Sequence, residues 1–371
     1  MTQQIMARSV ARKRCLLACI AMLALGGLVL TSCAPQRTPE EVRAELLRKL
    51  PVSLADRAGW VRDIQAAFAA QDIEPSSENL CAALAVVEQE STYRVDPPVP
   101  GLASIARREI DRRATALHVP QLVVDAALKL RSPDGRTFAE RIAALRTEQQ
   151  LSALFEELAD RVPMGQRLFG RFNPIHTGGP MQVRIDFAAR HAHGYPYPID
   201  GSIRREVFSR RGGLYFGIKH LLDYPADYPA MRYRFADFNA GWYASRNAAF
   251  QRAAGIASDT RLVGDGDLLE PGAPMASPGA TEHALRGISA RLGMDAAAIR
   301  GDLQRGDDAG FANTNLYRQV FAIADAKGSG KPVSRAVLPQ IELNSPKITR
   351  KLTTAWFAGR VEARWKACIA R

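Results

Sequence analysis

Two carboxylates at the end of an apolar helix are the first candidates for chemistry in this 371-residue chain, Glu88 and Glu90. The stripe that they flank has helical spacing and consists of Leu80, Leu84, Val87 and Ser91. A carboxylic acid beside apolar side chains keeps its proton more readily, because its ionised form is poorly hydrated there. An acid protonated near neutral pH is what general-acid cleavage of a glycosidic bond requires. Periodicity alone does not separate Glu88 from Glu90.

Two later segments carry groups that suit a sugar ligand. Residues 178–183 (GGPMQV) combine glycines, which permit close approach of backbone to ligand, with the amide of Gln182, which can donate and accept. Residues 235–243 (FADFNAGWY) bring together aromatic rings, small residues and the amide of Asn239. Each segment also has an ordinary interpretation, the first as a loop before a helix and the second as core packing.

In this order the three segments resemble the motif set of the lysozyme-like lytic transglycosylases. In that family a Glu-Ser pair ends the catalytic helix, a Gly-x-Met-Gln segment follows, and an Ala-Tyr-Asn-Ala-Gly segment lines the cleft. The matching segments here are Glu90-Ser91, Gly179-Pro180-Met181-Gln182 and Ala236-Asp237-Phe238-Asn239-Ala240-Gly241. Residues 213–222 resemble the intervening helix, and the likeness covers residues 76–250. The whole chain also resembles an uncharacterised family of bacterial lipoproteins.

The resemblance implies an enzyme that cleaves the MurNAc–GlcNAc bond of peptidoglycan glycan strands. Glu90 would act as the sole acid and base, Ser91 would orient it, and the product would be a 1,6-anhydro sugar. The implied substrate-binding residues are Met181, Gln182, Phe238, Asn239 and Tyr243. The reaction consumes no water, and we expect no metal and no cofactor.

Two departures from the family pattern keep other functions open. Phe238 stands where the family has tyrosine, although Tyr243 or Tyr233 could supply a hydroxyl, and Gln182 follows Glu90 only after a long gap. A non-catalytic peptidoglycan-binding lipoprotein is therefore one alternative. A hydrolytic muramidase is another, if Asp186 or Asp237 served as a second carboxylate.

Other polar residues have simpler interpretations. His191 and His193 could be half of a metal site, but no third ligand stands at helical spacing, so we interpret them as part of a surface turn. The basic pairs at 204–205 and 210–211 are interpreted as a solvated helix face, with contact to the carboxylates of peptidoglycan peptides as an alternative.

The first 33 residues predict where the protein is located. Four basic residues precede an uninterrupted apolar run over residues 15–30, which is short for a membrane span, and Leu30-Thr31-Ser32-Cys33 follows. This segment resembles a lipobox, which implies that Cys33 becomes the acylated N-terminus. The alternative is a signal anchor with a chance cysteine. Ala34 is not the aspartate linked with inner-membrane retention, so we expect a lipid anchor in the outer membrane, facing the periplasm.

Charge and cysteine content agree with a periplasmic address. Without the leader, 46 basic and 38 acidic residues leave a net charge of +8, which suits wall polymer or anionic headgroups. A periplasmic protein meets no cytosolic nucleic acid, so nucleic acid is not an expected partner. Cys81 and Cys368 remain after the leader, and we hypothesise a disulfide between them, with two buried thiols as the alternative.

The pattern of apolar residues predicts a mainly α fold, because no run of alternating apolar and polar residues convincingly indicates strands. We predict a lysozyme-like helical domain with a helical insertion and a helical C-terminal region. The predicted boundaries are a signal peptide at 1–32, a tether at 33–52, the lysozyme-like domain at 53–255 with its insertion at about 101–170, a linker or loop at 256–282, and the C-terminal region at 283–371.

Overall fold

Helices account for nearly all the regular structure of the described residues, as predicted. The structure is a computed structural model that describes residues 37–161, 173–328, 331–343 and 351–371. The leader and Cys33 lie outside the described residues. Two short strands, β1 (Thr177–Gly178) and β2 (Val183–Arg184), pair antiparallel with Gly178 opposite Val183. None of the described helices is both long enough and apolar enough to cross a membrane.

Seven helices precede this hairpin and ten follow it within the described part of the chain. The first group is α1 (Pro39–Lys49), α2 (Arg57–Ala70), α3 (Ser77–Ser91), α4 (Leu102–Ala116), α5 (Gln121–Leu128), α6 (Phe138–Ala143) and α7 (Glu148–Arg161). The second group is α8 (Ile185–Arg190), α9 (Ile203–Phe208), α10 (Arg210–Leu222), α11 (Met231–Ala240), α12 (Ala244–Ser258), α13 (Ala280–Gly287), α14 (Ser289–Leu292), α15 (Ala296–Leu303), α16 (Asn315–Lys327) and α17 (Thr354–Ile369).

The larger hydrophobic cluster is built around α3. The Ser76 hydroxyl caps this helix by accepting from the Asn79 amide at 3.2 Å, and every residue from 80 to 87 is buried. Helix α3 packs against α10 and α17, and α2 packs against α10. Trp60, Ile64 and Phe68 follow one another at four-residue steps and form part of the buried face of α2.

Helix α17 packs against α3 and is joined to it covalently. The structure places Cys81 and Cys368 in a disulfide with a Cα–Cα distance of 5.6 Å, the pairing that the sequence hypothesis requires. Four residues back along α17, Arg364 pairs with Glu88, seven residues further along α3. On its other side α17 packs against α11, where Glu362 pairs with Arg232. The last helix therefore ties two motif-bearing helices together.

A second hydrophobic cluster forms around α12 and α16. Its rings include Phe250, Phe311, Tyr317 and Phe321. The buried Arg246 of α12 reaches this region, where its guanidinium donates to Gly306 O at 2.5 Å and Asp308 O at 2.9 Å. The same guanidinium lies 4.1 Å from the ring centre of Tyr243 and 5.1 Å from that of Phe311.

The insertion between the first two motifs contains a segment whose two ends are in contact. It leaves at Val99, whose amide donates to Arg146 O at 2.8 Å, and residues 98 and 147 form an isolated antiparallel bridge. Apolar side chains of α4 to α7 join the larger cluster. Residues 99–146 of the expected insertion thus begin and end at one place, and the chain continues from there into α7.

Three of the expected segments contain structure that the sequence did not indicate. Residues 39–49 of the expected tether are helix α1, in which Val42 and Leu46 are buried. Within the expected insertion, α6 and α7 are separate helices, because residues 144–147 turn back to meet the start of the insertion. The expected C-terminal region is not one unit, since α13 to α16 serve the second cluster and α17 serves the first.

The expected linker at 256–282 is irregular between α12 and α13 but is firmly attached. The side-chain amide of Gln251, on α12, donates to Asp265 Oδ1 and accepts from the Gly266 amide, each at 2.7 Å. Because a buried side chain makes these hydrogen bonds to polar groups of the loop, the loop is fixed against the helix.

Candidate functional site

The candidate acid Glu90 stands in the last turn of α3, three residues after the buried stretch ends at Val87. The helix ends at Thr92, which is left-handed with φ 49°, and Tyr93 follows with φ 60°. Two successive non-glycine residues in this region each cost on the order of 1–3 kcal/mol, and such conformations concentrate at functional sites. The Tyr93 hydroxyl donates to Leu84 O at 3.3 Å and helps to hold the turn.

The two carboxylates that periodicity left equivalent are both half-buried. Glu88 is ion-paired with Arg364 of α17 at 3.6 Å, and Glu90 stands on the opposite flank of the stripe. Burial does not separate the two residues, and the Glu-Ser resemblance alone selects Glu90 as the candidate acid.

Ser91 is buried, and its hydroxyl donates to Val87 O at 3.0 Å within the same helix. Its single proton is therefore not donated to Glu90, which differs from the orienting role that the resemblance implied. The contact is the ordinary back-bond of a helical serine.

The Met-Gln segment forms the turn of the β1–β2 hairpin. Gln182 is left-handed with φ 48°, and its side chain accepts from the Thr177 hydroxyl at 3.2 Å and donates to Gly179 O at 3.3 Å. Met181 has no exposed surface, so it packs in the core rather than lining an open cleft. Of this pair only Gln182, half-buried at the turn, has surface available to a ligand.

Glycines in this region serve the contact between the hairpin and neighbouring helices, not the approach of a ligand that the sequence suggested. A Cβ on Gly179 would lie 2.1 Å from Val207 O, so that position admits no side chain. On α10, a Cβ on Gly213 would meet Pro180 at 2.4 Å, and one on Gly217 would meet Met181 Sδ at 2.5 Å. The hairpin is therefore seated directly on the backbone of α10.

An aromatic cluster joins the third motif to the helix after the hairpin. Its centre is His220 of α10, whose ring lies 4.5 Å from Phe187, 5.1 Å from Phe238 and 6.3 Å from Trp242. His191 stacks on Phe187 at 4.1 Å. Phe238, at the family's tyrosine position, is buried in this cluster, so the missing hydroxyl is replaced by ring packing.

The histidine at the centre of the cluster is held neutral. Burial, reinforced by the nearby Arg184 and His191, lowers the pKa of His220 to about 3. His191 Nδ1 donates to Phe187 O at 2.8 Å. Within the described residues no three His, Cys, Asp or Glu side chains group as metal ligands.

The remaining residues of the third motif have internal partners. The Asn239 amide oxygen accepts from the Thr354 hydroxyl at 2.7 Å, at the start of α17. Asp237 has no exposed surface and accepts from the Tyr228 and Tyr224 hydroxyls and the Ser245 amide. Burial raises the pKa of Asp237 despite these hydrogen bonds.

Tyr243 is buried beneath Arg246 and packs edge-to-face on Tyr224 at 5.1 Å. It therefore points to the junction with the second cluster rather than to an open surface. Tyr233, the other candidate for a hydroxyl, is half-buried and packs against Tyr228 at 5.7 Å.

Helices α10 and α17 bring the motif segments to one region. Along α17, Thr354 contacts the third motif and Arg364 contacts the end of α3, ten residues apart, or about 15 Å along the helix axis. Helix α10 contacts α3, the hairpin and α11. The structure thus groups the three segments on two shared helices.

The contacts that assemble this region involve residues that the sequence analysis passed over. Arg364 and Thr354 lie far along the chain from their partners, and nothing in the sequence signals that pairing. His220 had a usable signal, because it directly precedes Leu221 and Leu222 in an otherwise apolar helix.

A family described as a protein of unknown function (DUF1615) matches residues 53–371. The chain belongs to this family. A relative described as the uncharacterized protein YaiW of Escherichia coli strain K12 is 51% identical over 356 residues, which cover 95% of this chain and 97% of the relative. No solved structure matches the chain. The resemblance to an uncharacterised family is confirmed, and the likeness to lytic transglycosylases stays a prediction.

Proposed function

We propose that this family member is a peptidoglycan lytic transglycosylase with a lysozyme-like fold, in which Glu90 is the acid and base. The observation that supports the proposal is the grouping of the three motif segments on α10 and α17. Glu90 is half-buried in the last turn of α3, three residues after a stretch of eight consecutive buried residues. The Met-Gln and Asn-Ala-Gly segments contact the helices that hold α3.

The proposed reaction uses one carboxyl group twice. The Glu90 carboxylic acid donates its proton to the bridging oxygen while the bond from that oxygen to C1 of MurNAc breaks. The resulting carboxylate then takes the proton of the C6 hydroxyl as the C6 oxygen bonds to C1. The acid is restored, the products are a free GlcNAc end and a 1,6-anhydro MurNAc end, and neither water nor a cofactor is consumed.

The long gap between Glu90 and Gln182 is compatible with this proposal. The insertion leaves the chain and returns to it through the contact between Val99 and Arg146. A closed excursion of this kind can be added beside a cleft at little cost in chain entropy.

A second function is favoured by the burial of Met181 and Phe238. If neither side chain reaches substrate, the chain binds glycan strands without cleaving them. The muramidase alternative has weaker support. Asp237 is buried and already accepts three hydrogen bonds from Tyr224, Tyr228 and Ser245. Asp186 is exposed and paired with Arg184, whose hydrogen bonds lower the pKa of Asp186 to about 2.

The proposed location is the periplasmic face of the outer membrane, through lipid on Cys33. Peptidoglycan glycan strands are the proposed partner, and nucleic acid is not. Labelling of cells with an alkyne palmitate tests the anchor: the parent chain should be labelled, and Cys33→Ala should not.

The test of the activity is the product formed from purified sacculi. The chain without residues 1–33 retains the whole compact unit of residues 42–371 and can be incubated with sacculi in buffer. Soluble fragments with 1,6-anhydro ends support the proposal. Fragments with reducible sugar ends would mean hydrolysis, and retention on sacculi without fragments would mean a binding protein.

A further inference from the structure

A cavity of about 350 Å³ lies between α7 and α9, outside the motif segments described above. Its volume is at the lower end of the range for pockets that hold small molecules. Most of its polar lining comes from Glu156 of α7 and from Asp200, Arg204, Arg205 and Glu206 at and before α9. The ligand that fits it should therefore be small and charged.

Two arginines of the cavity are already neutralised and fixed. Arg204 is paired with Glu156 at 3.3 Å, and it donates to Ile175 O at 2.7 Å. Arg211 donates to both carboxylate oxygens of the buried Glu206, at 2.8 and 3.0 Å. These pairs form a rigid wall whose charges cancel.

One cation and one anion are left over. Among the described residues neither Arg205 nor Asp200 makes a side-chain ion pair, and both side chains are exposed. The Arg205 guanidinium lies over Gly201, the residue next to Asp200. The Asp200 amide donates to Glu206 Oε1 at 2.9 Å, which fixes the backbone between the two groups.

The cavity is connected to the loop that leaves α3. Gln149, which lines it, lies two residues after Thr147, where the insertion returns to the chain. Asp96, six residues after Glu90, lies against the Thr147 hydroxyl and the Gln149 amide. A ligand in the cavity would therefore be close in space to the loop that follows the candidate acid.

We infer that this cavity binds a short zwitterionic peptide, with a carboxylate on Arg205 and an amine on Asp200. The identification of that peptide as the stem peptide of peptidoglycan rests on the proposed function. The site would then hold a peptide branch of the strand whose glycan lies at the end of α3.

The test is calorimetric titration of the chain without residues 1–33 with the free stem tetrapeptide, L-Ala-γ-D-Glu-meso-diaminopimelate-D-Ala. Arg205→Ala and Asp200→Asn should each weaken binding at least tenfold. Arg108→Ala, which removes an exposed arginine on α4 away from the cavity, should bind like the parent. Both cavity residues are exposed, so the variants should keep the circular dichroism of the parent.

Modified probes separate the two contacts. The peptide with amidated carboxylates should bind weakly, and Arg205→Ala should weaken it no further. The peptide with acetylated amines should also bind weakly, and Asp200→Asn should weaken its binding no further. Parent-like binding by Arg205→Ala and Asp200→Asn, or equal affinity for free and blocked peptides, would overturn the inference.

The activity assay is kept separate by using glycan strands from which an amidase has removed the peptides. Cleavage of these strands without tetrapeptide binding would reject the cavity as a peptide site. The proposed function would stand. Tetrapeptide binding that depends on Arg205, without cleavage of any glycan, would retain the cavity as a peptide site and reject the lyase.

Discussion

The Glu88 carboxylate and the Arg364 guanidinium form an ion pair of 3.6 Å between α3 and α17. Both groups are partly exposed, so the pair contributes little free energy. We expect Glu88→Gln to lower the free energy of unfolding by less than about 1 kcal/mol. Urea unfolding of Glu88→Gln, Arg364→Gln and the double variant measures the coupling. A loss above about 2 kcal/mol in Glu88→Gln would show a larger structural role than this geometry supports.

The disulfide joins residues 287 positions apart and fixes α17 on α3. A cross-link that closes a long loop restricts the unfolded chain, with typical stabilisation of about 2–4 kcal/mol. We expect Cys81→Ser with Cys368→Ser to unfold at lower urea concentration, and the reduced parent to match it. Mass spectrometry of the unreduced parent provides the control. Two free thiols there would contradict the pairing.

The neutral state of His220 predicts acid sensitivity. Its pKa is about 3 in the folded protein against about 6.5 in an unfolded chain. Between these values the unfolded chain binds the extra proton, so stability is complete above about pH 6.5 and decreases as the pH falls towards 3. In His220→Gln, the slope of unfolding free energy against pH should be smaller by up to about 1.4 kcal/mol per pH unit.

Urea unfolding between pH 4 and 7 measures that slope. His283→Gln, which removes an exposed histidine from α13, is the matched control and should keep the slope of the parent. A His220→Gln variant with an unchanged slope would show that His220 titrates normally in the folded state.

Arg246 connects α12 to the turn before the 3-10 helix Ala309–Asn313. Arg246→Met would leave the oxygens of Gly306 and Asp308 without this donor, and each such loss costs about 1–3 kcal/mol. We expect a decrease of about 2–4 kcal/mol in the free energy of unfolding. Arg252→Met, an exposed change on the same helix, should lose less than about 0.5 kcal/mol. Equal stability of the two variants would contradict this role.

Local sequence signals mark the starts of α3 and α6. The Ser76 cap of α3 and the capping box of Thr137 and Glu140 are both present, because each depends on residues three positions apart. The same signals could not show that α6 ends at Ala143, since the reason is a pairing with residues 98–99. Local sequence patterns therefore indicate where helices begin, but they do not show where tertiary contacts end a helix.

The candidate site was predictable in its segments and not in its contacts. Motif order predicted Glu90, Gln182 and Asn239 as site residues, and the glycines of residues 178–183 were expected to face a ligand. Gly179 in fact faces Val207 O, and a glycine looks the same in sequence whichever group approaches it. The ion pair of Glu88 with Arg364 likewise joins residues that lie far apart in the chain.

The measurement that tests the central claim most directly compares Glu90→Gln with Glu88→Gln on purified sacculi. Both changes replace one carboxyl group by an amide in the same turn of α3, so each controls for the other. Mass spectrometry of the released fragments should find 1,6-anhydro ends with the parent and with Glu88→Gln, and at least a hundredfold fewer with Glu90→Gln. Anhydro ends released by Glu90→Gln at the rate of the parent would show that Glu90 is not the acid.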